Sequence, residues 1–190
     1  MPLILRRGFS LLEVMVALSV ISVGVLGLAG LQLAAKRSGH EAMQRSTAAS
    51  LAMDIMARMR ANPQALHNYA STPQLAGFSG SEPVPGCSSS STACTPVELA
   101  AHDLWQWGQA LNGATETRME EGRLVSVGGL LEPSACISVN SGRVTIAIAW
   151  AAFQELSDPG AHPCGAASGK YGPSGARRQL LVLHSFVSSG

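Results

Sequence analysis

The chain has 190 residues, enough for one domain and a helical stalk. It is 46% hydrophobic, much of that alanine and an amino-terminal run, and only 13% charged, which is low for a soluble globular chain. Thirteen basic side chains against twelve acidic ones leave a formal charge of +1, so neither the basic excess of a nucleic-acid binder nor the acidic excess of a cation buffer is present.

The first sixty residues organise the rest. Arg6-Arg7-Gly8-Phe9-Ser10-Leu11-Leu12-Glu13 is followed by an apolar run, Val14 to Leu31, that carries no charge. About 20 apolar residues are enough to span a bilayer. A charged group near the centre of such a span costs roughly 2.5–3.5 kcal/mol on insertion scales, so Glu13 is a functional candidate by its position. An ordinary secretory signal would use Arg6 and Arg7 as its basic region and Gly27-Leu28-Ala29 as its cut. Against that reading, the apolar stretch is long and its helical pattern continues without a break. Charge does not fix orientation, because Arg6 and Arg7 on one side face Lys36 and Arg37 on the other.

Gly8-Phe9-Ser10-Leu11-Leu12-Glu13-Val14 resembles the processing site of type IV pilins and pseudopilins. The resemblance implies that a prepilin peptidase cuts after Gly8 and methylates the new amino terminus at Phe9. It implies that Glu13 pairs with the amino-terminal group of a neighbouring subunit, and that the amino terminus starts in the cytoplasm. The physical chemistry agrees. A carboxylate in an apolar bundle needs an opposite charge, and a free α-amino group is a cation near neutral pH. Pairing between subunits would fix axial register, as a lone polar group does in a coiled coil. With the later tryptophan-bearing helix and four cysteines, the whole chain resembles the minor pilins called type IV pilus modification proteins PilV.

That resemblance divides the chain into a leader (1–8), a transmembrane and filament-core half-helix (9–35) and a periplasmic globular domain (36–190). Loss of the leader removes Arg6 and Arg7, leaving 11 basic side chains against 12 acidic ones, a balance of −1. It implies as partners the peptidase, the inner membrane, and other minor pilins and the major pilin through their amino-terminal helices; a tip adhesin is also admitted. The chain would be a single-pass inner-membrane protein before assembly and part of the pilus afterwards. The rivals are a minor pseudopilin of type II secretion and a membrane-anchored adhesive or carbohydrate-binding domain that never polymerises. Major pilins commonly carry a proline in the region where this chain has Gly30.

From Ser10 to Ala61 there is no proline, so one helix of roughly 78 Å is expected. Gly24, Gly27 and Gly30 each cost about 1 kcal/mol of helix propensity, yet in lipid they let neighbouring backbones approach. Past Lys36 the pattern is amphipathic: Ala48, Leu51, Ala52, Ile55, Met56 and Met59 form one stripe, while Asp54 and Arg58 pair four apart on a more polar face. The methionines read as core filler. Asn62-Pro63 stops the helix.

Residues 63 to 94, rich in Pro, Gly, Ser and Thr, read as loop. Thr95-Pro96-Val97-Glu98 is a capping box opening a helix that ends near Leu111, at Asn112-Gly113. Its expected inward stripe is Val97, Ala101, Leu104, Trp105 and Gly108. His102 and Asp103 point about 100° apart and read as a solvated face. Of Trp105 and Trp107, at least one belongs in the core.

Beyond Gly122 the period becomes two, giving strands over Arg123–Val127, Ala135–Val139, Arg143–Trp150 and Arg178–Val187. Asn140-Ser141-Gly142 signals a hairpin. Val144, Ile146, Ile148 and Trp150 share one face, with Thr145, Ala147 and Ala149 on the other. The last strand is apolar on both faces, which suits a central position or an edge covered by a partner.

The cysteines, Cys87, Cys94, Cys136 and Cys164, all follow the apolar run, and an even count in an exported domain reads as two disulfides. Four cysteines allow three pairings, of which the nearest-neighbour pairs 87/94 and 136/164 are expected; the second would tie the Gly/Pro-rich stretch 157–175 to the sheet. A zinc site lacks further ligands nearby. The five histidines are scattered, and neither a phosphate loop nor a nucleophile elbow is present, so no enzyme, cofactor or metal is expected. The expected fold is α+β: a long amino-terminal helix packed on an antiparallel sheet of three to four strands, with a second helix between.

Overall fold

The computed structural model describes residues 8, 10–75, 81–88 and 93–188. The element order is helix α1 (Leu11–Ala61), a 3-10 segment (Pro63–Tyr69), strand β1 (Ser71–Leu75), helix α2 (Pro96–Leu111), then β2 (Thr117–Glu120), β3 (Arg123–Ser126), β4 (Ser134–Asn140), β5 (Arg143–Ala151) and β6 (Arg178–Phe186). Two compact units result, residues 1–40 and 41–190. The first is helical from Leu11 onward. The second contains the remainder of α1, helix α2, a four-stranded antiparallel sheet in the order β1-β4-β5-β6, and a two-stranded sheet β2-β3.

The second unit folds around one face of its larger sheet. Ala48, Ala52, Ile55, Met56 and Met59 of α1 meet Val144, Ile146, Ile148 and Trp150 of β5, all buried. Full burial of an Ile, Met or Val side chain is worth about 1.5–3 kcal/mol each, so this seam accounts for much of the domain's stability. Leu51 packs against the seam while half-buried. The opposite face of the sheet carries the smaller Ala147 and Ala149, which are buried as well. Something must cover them, and it is the 152–177 segment: Tyr171 packs with Ala149, Ala151 and Leu180.

Helix α2 starts where its capping box places it. The Thr95 hydroxyl accepts from the Glu98 N–H at 3.3 Å, and the Glu98 carboxylate accepts from the Thr95 N–H at 2.8 Å. That backbone N–H, with the Thr95 hydroxyl, holds the Glu98 carboxyl below its usual range. The inward stripe differs from the expected one. Val97 and Ala101 are exposed, whereas Ala100, Asp103, Trp107, Gly108 and Leu111 are buried and Leu104 packs beside them. Trp107 has no exposed surface, and its indole N–H donates to the Leu51 carbonyl at 2.8 Å, locking α2 to α1.

His102 and Asp103, expected on a solvated face, are buried. Asp103 is tolerated inside because its charge is met twice, by Arg58 at 3.1 Å and by the Tyr69 hydroxyl at 2.6 Å. Burial first, and then that hydrogen bond to Asp103, push the Tyr69 hydroxyl well above the ordinary phenol range. Arg58 also pairs with Asp54 at 3.0 Å, as the four-residue spacing implies. Asn62 donates to Tyr69 and to the Pro96 carbonyl, closing the network. His102 faces Glu82 at 3.2 Å.

The stretch read as loop from 63 to 94 contains the 3-10 segment and β1. Composition hides both, since Pro63 opens the first and Pro73 lies inside the second, where only an edge strand accepts it. Strand β2 also escaped the period-two reading, because the β2-β3 hairpin is exposed along its whole length and has no buried face to leave an alternating pattern. Gln44 of α1 anchors the region following that hairpin, giving its amide N–H to Gly129 O at 3.2 Å and accepting from Leu131 N–H at 2.9 Å. The β4-β5 turn has Ser141 at φ 49° and Gly142 at φ 79°, the two positive values a type I′ turn requires.

Candidate assembly site

The amino-terminal segment is assembled from local rules. Ser10 precedes α1, and its carbonyl accepts from the N–H groups of Glu13 at 3.0 Å and Val14 at 3.2 Å. Glu13 thus lies in the first helical turn, where a carboxylate is favoured by the helix dipole. Among the described residues no side chain pairs with it. Gly8 is exposed ahead of the helix, and Phe9 lies outside the described residues.

Downstream, every described residue from Ser10 to Gly39 is exposed, including Leu12 at 73% and Leu28 at 60%. By length and composition this helix can cross a membrane. Within the apolar run, 14–31, the two serines bond back to the helix: Ser19 donates to the Met15 carbonyl at 2.9 Å and Ser22 to the Leu18 carbonyl at 2.7 Å. The Glu13 side chain has no such internal partner among the described residues. A Cβ added at Gly24, Gly27 or Gly30 would meet nothing within 4 Å, so the chain's own packing does not call for glycine at those positions. What the segment offers chemically is one anion and an apolar surface with three small positions, both suited to association with other helices.

The cysteines form two bonds, Cys87–Cys94 and Cys136–Cys164, each with a Cα–Cα distance of 5.9 Å. The second joins β4 to the 152–177 segment, which Arg178 also holds from inside. Arg178 is 2% exposed and donates to the Asp158 carboxylate and to the carbonyls of His162 and Cys164 at 2.7 Å each. The guanidinium holds the Asp158 carboxyl below the usual carboxylate range, with help from the Gly160 N–H. Sequence reading missed this ion pair: an arginine opening a strand has no local pattern that points 20 residues back into a loop. Among the described residues no group of three or more His, Cys, Asp or Glu could hold a metal ion.

The family of the type IV pilin Tt1218 matches residues 30–105, and the prokaryotic N-terminal methylation motif matches residues 5–29. The two adjoining matches support a type IV pilin. The α+β architecture, a long amino-terminal helix with antiparallel sheets, is that of the type IV pilin fold. Type IV pilins are structural subunits, and the methylation motif implies processing by a peptidase and assembly with other pilins. An apolar helix behind such a motif fits a membrane-anchored pilin that later enters the pilus. No curated protein and no solved structure matches the chain. Residues 106–190, which include β2 to β6, lie outside both matched spans.

Proposed function

We propose that the chain is a minor pilin of the PilV type, entering a type IV pilus within a priming or tip complex. In this reading residues 1–8 are the leader, 9–35 the membrane and filament-core half-helix, and 36–190 the periplasmic domain. Cleavage after Gly8 frees Phe9 for methylation, and Glu13 pairs with the amino terminus of an adjacent subunit. One observation carries the reading: a lone carboxylate in the first turn of α1, directly behind the Gly8–Phe9 junction and ahead of an exposed apolar stretch, 14–35, that carries no other charge. A buried charge with its partner removed costs several kcal/mol, so a bundle of such helices favours the stagger that supplies each Glu13 with a cation.

The reading is tested by mass spectrometry of the mature amino terminus together with identification of co-purifying proteins. The mature chain should begin at Phe9 with one added methyl group, and other pilus subunits should accompany it. Retention of Met1, or a start near Gly30, removes the pilin reading altogether. Co-purification with secretion-machine components instead would reassign the chain to a type II secretion pseudopilin.

A further inference from the structure

We propose that the open edge of β6 is a strand-addition site for an edge strand of a different pilin subunit; this rests on the pilin reading above. Among the described residues β6 pairs only with β5, so its outer row of backbone N–H and C=O groups is available to another strand. Folded proteins normally guard such an edge with charge, proline, a bulge or short length. The two edges of this sheet differ in that respect. Strand β1 is five residues long, contains Pro73 and breaks register between Ser71 and Leu75. Strand β6 is nine residues long, has no proline, and pairs in unbroken register from Arg143↔Phe186 to Ala151↔Arg178. Its one arginine, Arg178, is turned inward onto Asp158.

The side chains along β6 are as incompletely covered as its backbone. Leu180, Leu181, Val182 and Leu183 are half-buried, whereas Ile146 and Ile148 on β5 are fully buried. Beside the edge lies an apolar depression of about 140 Å³ lined by Ala49, Ala52 and Met53 of α1 with Leu181, Val182 and Leu183. Met53 is 59% exposed there. An extended backbone satisfies the edge, and apolar side chains from the same segment fill the depression. This is β-augmentation, in which the main chain supplies affinity and the pocket selects side chains.

Geometry narrows the occupant. Arg60 donates to Ser185 at 2.8 Å, while Ala49, Ala52 and Met53 adjoin Leu181–Leu183, so α1 and β6 run in the same sense. Two copies pairing β6 with β6 antiparallel would set the 49–60 stretches of their α1 helices in opposite directions, whereas subunits of one filament face the same way. Because the sheet is antiparallel throughout four strands, its two edge strands run oppositely. A subunit facing the same way therefore presents its own first strand antiparallel to β6, a head-to-tail contact of the kind that builds open helical assemblies. In this chain that first strand is the guarded one, with Pro73 lacking an N–H. The strand therefore comes from a different pilin.

The test uses the full-length chain in its own bacterium, with a photo-cross-linking residue at Val182, a control at the exposed Leu156, and a separate Val182→Lys variant. Val182 should give an adduct with a different pilin that maps to an edge strand, and Leu156 should not. Val182→Lys should keep Phe9 as its amino terminus and keep both disulfides, while its incorporation into sheared pili falls roughly tenfold, the ratio that 1.4 kcal/mol of lost contact produces. Adducts between two copies of this chain, adducts with a non-pilin, no adduct above the Leu156 control, or undiminished incorporation of Val182→Lys would each overturn the proposal. A wild-type chain that is unprocessed or absent from pili would instead sink the pilin reading itself.

Discussion

Removing the Cys136–Cys164 bond should cost more than removing Cys87–Cys94, by an amount that loop length sets. The two bonds close separations of 28 and 7 residues. Chain entropy at 25 °C then gives about 3.6 and about 2.4 kcal/mol, a gap of roughly 1.2 kcal/mol. Position in the fold widens that gap. Cys164 is 2% exposed, with its sulfur 3.5 Å from the Ala147 carbonyl, so alanine there also leaves a small void over the back of the sheet. Cys87 is only half-buried. The assay is guanidinium unfolding of a chain begun at Lys36, comparing the two double-alanine variants with the parent under non-reducing conditions. Every residue of the main core lies at or beyond Ala48, so this truncation retains it. If the small ring proves the costlier loss, or if neither removal costs about 1 kcal/mol, loop closure is not what these bonds contribute.

Three further outcomes are expected. Gly129→Ala should cost about 2–6 kcal/mol in the same assay, since it combines a strained positive φ with a backbone clash; its Cβ would lie 2.3 Å from Gly113 N and 2.6 Å from Leu111 O. Gly122→Ala, equally positive in φ but open around its Cβ, should lose only the smaller, conformational part, and equal losses would show that the crossing is not tight. Asp158 has its carboxyl pKa depressed in the folded state, so its stabilisation is complete above the unfolded value of about 4 and is lost as pH falls through the lower folded value. Protease sensitivity of the 152–177 segment should therefore rise in that acid window, and Asp158→Asn should flatten the dependence. Glu13→Gln should leave the globular domain folded but lower its recovery in sheared pili at equal total protein; wild-type recovery would mean the pairing mechanism is wrong.

How much of this was readable in advance follows from the distance over which each feature is determined. The amino-terminal methylation motif, the α1 stripe from Ala48 to Met59 and the Thr95–Glu98 cap are local, and the residues of each sit within a few turns of one another. The Asn140-Ser141-Gly142 turn is local too, and β4 and β5 extended only a residue or two past their expected ends. What escaped depends on partners far along the chain. Asp103 looks like a solvent-facing acid until Arg58, 45 residues earlier, and Tyr69, 34 earlier, are brought to it. That substitution of a satisfied acid for an apolar residue rotated the true stripe of α2 away from Val97 and Ala101. Strand β6 was legible as doubly apolar, but only the strand order shows that it lies at an edge.

The polar groups divide by location in a way that bears on assembly. Inside the 41–190 unit, buried charges and amides are almost all matched: Arg178 with Asp158, Asp103 with Arg58 and Tyr69, Gln44 with two backbone groups, His102 with Glu82. Among described buried side-chain atoms only Glu41 Oε1 lacks a partner. The exposed features left unmatched among the described residues are of another kind: the Glu13 carboxylate, the empty surroundings of Gly24, Gly27 and Gly30, and the outer edge of β6. A chain that satisfies its interior so completely has the means to satisfy these as well, by a serine-like back-bond, an alanine or an edge proline, each of which it uses elsewhere. Leaving them open costs stability or solubility in isolation. In the proposed reading that cost is recovered when other subunits supply a cation, a helix and a strand, and the three open features then have one common explanation, completion by neighbouring subunits.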